Sequence, residues 1–338
     1  MKLQHVPTID LGPYFEGSPE GKQQVAESVD QACRDIGFLV ITNHGIPREL
    51  VERVYNLSRR FFDQPMTEKR KADRPRPDMV RGYSAVAEES LSYSLEEAAP
   101  GDLKESFSIG PVGVPDDDYH LGPAAGPHFA PNVWPETIDG FRDAYCDYFE
   151  AMSDLARSLM RIFALALKLD EHFFDDKIDR EISMLRTLSY PNMGTNIEEG
   201  QMRAGAHSDY GSLTIVKPDD SPGGLQVCNQ NGDWVDVPYV EDGFVVNIGE
   251  LMMRWTNDQW ISTLHRVVNP PLDASATHPR QSIVFFHQPN YDAIIECLQL
   301  PEGRRGSALP GGQFRRSPEV QVRQADHLRW QQTGGGLI

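Results

Sequence analysis

HSDYGSLTIVKP, residues 207–218, opens with two metal-donor side chains, His207 and Asp209, one residue apart. It then runs into alternating, β-rich sequence that stops at Pro218. The same period of two recurs on both sides of it. Upstream stands ISMLRTLSYP (182–191). Downstream stand GGLQVCN (223–229), GDWVDVP (232–238), GFVVNIG (243–249), LHRVVNP (264–270) and RQSIVFFHQP (280–289). Each is short and bounded by Gly, Pro, Asn or Asp, the residues that end strands. Many short strands at regular spacing predict a barrel or a double-sheet jelly roll.

That reading gives the polar residues a purpose. Alternate residues of a strand share a face, so His207 and Asp209 are expected to point at one metal ion. His265, in LHRVVNP, lies on a later strand that a jelly roll brings beside them. Two histidines and one carboxylate suit non-haem iron(II). Three ligands on one face of an octahedron leave positions open for a co-substrate and dioxygen. Arg280 and Ser282 repeat the spacing of two. An arginine facing a barrel interior is costly without an anionic partner. A bound dicarboxylate supplies one, matched to the guanidinium fork, and the Ser282 hydroxyl adds a hydrogen bond. Tyr190, in LSYP, supplies a further hydroxyl.

The first third reads differently. Residues 5–12 predict a short strand around Val6, Ile9 and Leu11. Val25, Val29, Ala32 and Cys33 recur at helical spacing between Gly21 and Ile36. GFLVITNHGIP (37–47) predicts an apolar strand and a turn, in which His44 is expected to be structural. Val51, Val54, Leu57, Phe61 and Phe62 mark a second helix from Arg48 to Pro65. Residues 63–135 are rich in Pro, Gly, Asp and Glu and predict irregular connections with short strands such as ESFSIG (105–110). Residues 136–169 carry the longest helical pattern, from Phe141 to Leu167, expected to back the sheet.

The chain has 338 residues with 32 Lys and Arg against 50 Asp and Glu, a net charge of −18. Such a surface repels phosphate backbones and anionic lipid, so neither nucleic acid nor a membrane surface is expected as a partner. No apolar run is long enough to span a bilayer. The N-terminal MKLQHVPTIDLG shows no secretory pattern, so a cytoplasmic protein is expected. Cys33, Cys146, Cys228 and Cys297 are scattered without a CxxC pair, and neither a disulfide framework nor a zinc site is built on them. The absence of heptads favours a monomer.

Taken together, VPTIDLG, DIGFLVITNHGIP, LRTLSYP, AHSDYGSLTIV, GGLQV, GDWVDVP, VVNIGE, TNDQWISTLHRVVNP and RQSIVFFHQPN resemble the isopenicillin N synthase-like family of iron(II)- and 2-oxoglutarate-dependent oxygenases. The resemblance covers nearly the whole chain. It implies an α+β, mainly β fold: a distorted double-stranded β-helix (jelly roll, cupin-like) core with N-terminal and backing helices. It further implies one structural unit. Residues 1–135 would form the helical and irregular N-terminal region, and residues 136–338 the backing helix, the oxygenase core and a C-terminal tail. By position it makes His207, Asp209 and His265 iron ligands. Arg280 and Ser282 would hold the distal carboxylate of 2-oxoglutarate, with Tyr190 as helper. Arg81, Tyr83, Phe107 and Phe286 are the candidates for the prime-substrate pocket, and Asn247 a candidate for the oxoglutarate pocket. Two residues depart from the family's pattern: Asn192, where Pro is frequent, and Glu250, where Asp is usual in NIGD.

The implied activity is a dioxygenase that uses iron(II), 2-oxoglutarate and O2. It would oxidise an unactivated C–H bond of a small metabolite by hydroxylation, desaturation or cyclisation, releasing succinate and carbon dioxide. Two alternatives stay open. One is a same-fold iron(II) oxidase that does not consume 2-oxoglutarate, which the RQS motif does not exclude. The other is a jelly-roll protein that binds metal or ligand without catalysis.

Overall fold

The segments with period two form two facing sheets. The computed structural model describes residues 5–76, 79–91, 100–191, 197–198, 200–221, 223–270, 279–298 and 322–323. In chain order the strands are β1 Thr8–Asp10, β2 Phe38–Thr42, β3 Gly82–Ser84, β4 Glu105–Ile109, β5 Met184–Tyr190, β6 Ala204–His207 and β7 Leu213–Pro218. They continue with β8 Leu225–Cys228, β9 Trp234–Asp236, β10 Phe244–Ile248, β11 His265–Val267, β12 Arg280–His287, β13 Ile294–Ile295 and β14 Val322–Arg323. The large sheet has the order β1-β2-β10-β7-β12-β5-β4-β3 and the small one β6-β11-β8-β9, with β13 and β14 paired separately. All these strand pairs are antiparallel except β1 with β2. This is the expected double-stranded β-helix. Asn192 and nearly all of the C-terminal tail lie outside the described residues.

Alternation decides which face each side chain takes. Along β12, Ile283 and Phe285 face outward onto the helices, and Phe285 meets Phe149 edge to face at 5.2 Å. Val284 and Phe286 face inward, with Leu188, Tyr190, Ala204 and Val267. A second inward cluster joins Val6, Ile36, Phe38, Val40, Val227 and Val245 between the two sheets.

The helices cover the outer face. Helix Pro19–Asp35 starts where extended Ser18 accepts a hydrogen bond from Gly21 N at 3.0 Å, and it buries Val25, Ala26, Val29, Ala32 and Cys33. Helix Arg48–Phe62 buries Val51, Val54, Leu57, Phe61 and Phe62. The long backing helix runs Phe141–Ala166, starting later than the pattern from 136 predicts. Gly140 takes φ 74°, a left-handed conformation that a right-handed helix does not pass through.

The N-terminal region is therefore part of the sheet. β2 pairs with β10, and β4 pairs with β5, so strands from residues 8–109 edge the core on both sides.

Candidate metal centre and co-substrate site

The last residue of β6 and the first of β11 are paired across the small sheet: His265 stands opposite His207. Their rings lie 4.2 Å apart between centroids. Asp209 departs from the strand reading. β6 ends at His207, and Asp209 sits two residues further, in the turn. It still reaches the pair, with Oδ1 3.8 Å from His207 Nε2 and 3.7 Å from His265 Nε2. One ligand atom from each of the three lies within 4.8 Å of the others, the one such cluster among the described residues.

Neighbours fix these atoms. His207 Nδ1–H donates to the Gly205 carbonyl at 2.8 Å and His265 Nδ1–H to the Thr263 carbonyl at 3.1 Å. That tautomer turns both Nε2 lone pairs toward Asp209. Asn247, on β10, donates from Nδ2 to Asp209 Oδ2 at 2.7 Å. It thus braces the carboxylate. The turn is tied to helix Glu250–Trp255: Glu250 N donates to Asp209 O at 2.7 Å, and Ser208 Oγ donates to Glu250 Oε1 at 2.6 Å. Glu250, unusual for the family, is therefore employed as a clasp.

Electrostatics suit a cation. Burial works to raise the Asp209 carboxyl. His265, His207 and hydrogen bonds from Thr214 and Asn247 outweigh it and hold the group below the usual carboxylate range. Burial first, then the charge of His265, pushes His207 down, so its imidazole is neutral at pH 7. An ionised carboxylate oxygen beside imidazole nitrogens is the donor set that a divalent iron takes.

Arg280 begins β12, opposite Tyr190 at the end of β5, and Ser282 follows on the same face. Arg280 is 3% exposed, yet its Nε and Nη1 have no protein partner among the described residues. Its guanidinium lies 4.8 Å from the Tyr190 ring centroid, and Tyr190 Oη is 3.4 Å from Ser282 Oγ. A cavity of about 90 Å³ lined by Pro218, Leu225, Val245 and Arg280 opens there. A buried cation with unused donors calls for an anion, and a carboxylate fits. A larger cavity, about 460 Å³ beside Phe129 and Phe149, lies on the outer face, away from this centre.

Three of the four pocket candidates lie elsewhere. Phe107 is fully buried on the outer face, edge-on to Phe61 and Phe141 at 5.1 Å each. Tyr83 donates to Glu105 Oε2 at 2.6 Å in the same layer. Arg81 donates to the carbonyls of Val80 and His128 beneath Gly110. Their segment has no regular period, so the sequence does not separate inward from outward positions there. Phe286 alone faces inward, opposite Thr214. Sequence reasoning does not reveal Asn247 and Thr214 as supports of Asp209. The available signal is a polar residue at an inward position of the otherwise apolar FVVNI.

A model of the 2OG-Fe(II) oxygenase superfamily matches residues 182–289. A model described as non-haem dioxygenase in morphine synthesis N-terminal matches residues 6–137. The 2-oxoglutarate-Fe(II) type oxidoreductase hxnY of Emericella nidulans is 34% identical over 86% of this chain and 82% of its own. Homoarginine-6-hydroxylase 2-ODD-C23 of Glycine max is 30% identical over 88% of this chain and 90% of its own. The crystal structure of a full-length Neurospora crassa protein in complex with alpha-KG and thymine superposes with a TM-score of 0.80 at 32% identity, covering 98% of this chain and 97% of that one. The chain belongs to the 2-oxoglutarate–iron(II) oxygenases, within the isopenicillin N synthase-like superfamily. It is an enzyme that uses iron(II), 2-oxoglutarate and dioxygen on a small-molecule substrate.

Proposed function

We propose that His207, Asp209 and His265 hold the iron, and that Arg280, Ser282 and Tyr190 hold the distal carboxylate of 2-oxoglutarate. The observation that carries this reading is the buried Arg280 guanidinium, two of whose nitrogens have no partner among the described residues, facing the same interior as the three metal donors. Iron(II), when bound, supplies the chemistry that couples decarboxylation of 2-oxoglutarate to oxidation of a C–H bond.

The chain's own residues do the rest. Asp209 contributes the one negative charge of the ligand set, and Asn247 keeps it from turning. The carbonyls of Gly205 and Thr263 hold each imidazole with Nε2 free. Arg280 would hold the co-substrate by its far carboxylate and so fix its orientation in the cavity. Leu188, Val284 and Val267 keep the interior dry, which strengthens each of these contacts. An oxidase that ignored 2-oxoglutarate would leave the Arg280 cation buried without its counter-ion.

The excess of negative charge supports an enzyme without nucleic acid or membrane partners. We read it as a cytoplasmic monomer. A relative named for homoarginine and a similar structure solved with thymine support a small polar metabolite as substrate.

The test is an anaerobic titration of the metal-free protein with iron(II) and then 2-oxoglutarate, following the visible band of the chelate. The band is expected in the native protein. Arg280→Ala should raise the 2-oxoglutarate concentration needed by about tenfold or more, the value of a charged hydrogen-bonded pair. An unchanged requirement overturns the role of Arg280.

A further inference from the structure

The cavity of about 460 Å³ on the outer face serves neither the metal centre nor the co-substrate. Its size is that of a small-molecule site, roughly 300–1,000 Å³. One wall is a stripe of the backing helix: Phe149, Glu150, Ser153, Asp154 and Arg157 recur at helical spacing, and all five line it. Phe129 adds apolar wall, and Glu181, just ahead of β5, adds a carboxylate.

The charges on this wall do not cancel. Arg157 donates to Asp154 Oδ1 at 2.6 Å. Arg180 lies 3.7 Å from Asp179 and stacks its guanidinium 3.8 Å from the Tyr119 ring centroid. Two carboxylates remain. Glu150 is exposed and has no hydrogen bond or ion pair among the described residues. Glu181 Oε2 accepts from Ser183 Oγ and lies 3.5 Å from His287 Nε2, while its Oε1 has no partner among the described residues. Burial pushes the His287 imidazole down against the pull of Glu181, so the ring is neutral at pH 7 and leaves that charge unbalanced.

Ser153 is the second sign of a ligand. It is 9% exposed in the middle of the stripe, and its buried Oγ has no hydrogen-bond partner among the described residues. A helical serine commonly bonds back to the carbonyl four residues earlier, as Ser158 does to Asp154 O at 2.9 Å. Ser153 does not, and a buried hydroxyl left unpaired costs free energy that a ligand donor would recover. A metal ion does not fit. Among the described residues the one cluster of His, Cys, Asp and Glu close enough to hold an ion is His207, Asp209 and His265. Spaced carboxylates, a hydroxyl and two aromatic rings suit an organic cation instead, with N–H donors for the oxygens and hydrocarbon for the rings.

We infer that this cavity is a second ligand site, that its ligand is a small primary amine on an apolar body, and that Glu181, Glu150 and Ser153 accept from the ammonium while Phe129 and Phe149 hold the hydrocarbon. The site stands apart from the iron and 2-oxoglutarate reading, because none of those residues belongs to it.

The test reads binding alone. The full-length protein, metal-free and again loaded anaerobically with iron(II) and 2-oxoglutarate, is titrated calorimetrically with benzylamine. Benzyl alcohol and benzoate serve as the neutral and anionic counterparts of the same ring. Benzylamine is expected to bind at one site with the same Kd in both forms, about tenfold or more tighter than either counterpart. Its Kd should rise about tenfold or more in Glu181→Gln and about threefold in the exposed Glu150→Gln and in Ser153→Ala. Benzylamine that fails to bind, or binds no tighter than benzyl alcohol, overturns the proposal. So does an affinity that Glu181→Gln leaves unchanged. Binding abolished by iron(II) and 2-oxoglutarate would seat the amine at the metal centre and overturn it too. If Glu181→Gln fails to fold, Glu150→Gln decides, and an unchanged Kd there is equally fatal.

Discussion

Asn247 supports the candidate metal centre through Asp209. Its Nδ2 holds the oxygen of Asp209 that does not face the imidazoles, so removing it frees the carboxylate to rotate. Asn247→Ala is expected to weaken iron(II) binding by about 10–100-fold, the usual effect of deleting a partner of a metal ligand. Competition with a chromophoric chelator measures this. An affinity equal to that of the native protein would show that Thr214 alone suffices. At this scale His207, Asp209, His265, Arg280 and Ser282 are legible because each lies in or next to a strand with a clear period. Arg81, Tyr83 and Phe107 are not, because they lie in or beside the two outermost strands, β3 and β4, whose parity is set by the pairing of β4 with β5, about eighty residues away in sequence. The ion pair of Arg186 with Glu89 is hidden for a related reason: LRTLSYP shows an arginine inside a strand, and nothing local says that Glu89 awaits it.

Elements position these residues through a few close approaches. Gly37, just before β2, takes φ 67°, and a Cβ there would stand 2.1 Å from the Ile261 carbonyl oxygen. That carbonyl belongs to the turn that leads into β11 and His265, and the turn is further pinned where Thr263 Oγ1 donates to Ile36 O at 2.7 Å. Gly37→Ala combines a left-handed conformation with a backbone clash, and we expect it to destabilise the fold by about 2–4 kcal/mol. Urea unfolding measures the loss, and iron(II) affinity should fall with it, because the turn moves His265. A native midpoint in this variant would mean that the turn relaxes freely. The strands themselves are legible from their alternation. The parallel pairing of β1 with β2 is not, since an apolar run of five residues carries no signal for the direction of its neighbour.

Across the whole molecule, the acid limb of stability should carry a signature of the ion pair between Glu89 and Arg186. Glu89 joins the segment after β3 to β5 through Arg186, and its carboxyl is depressed from 4.5 to about 2. A depressed carboxyl contributes stability that is complete above its unfolded value and lost as the pH falls through its folded value. The loss therefore spans about pH 4.5 to 2. Glu89→Gln should remove on the order of 2 kcal/mol at pH 7 and flatten the dependence within that window. Unfolding midpoints measured from pH 7 to 3 decide it, and parallel curves for the two proteins would count against the assignment. The same architecture bears on how the chain is made. FLVIT, residues 38–42, lies against β10, which is encoded about two hundred residues later. At a synthesis rate of about 5–20 residues per second, this uncharged segment leaves the ribosome on the order of 10–40 s before its partner. During that interval it is a natural binding site for a chaperone that holds extended apolar chain. The demand of this oxygenase for such help is set by the distance between two strands, and would persist in a variant whose metal centre was perfect.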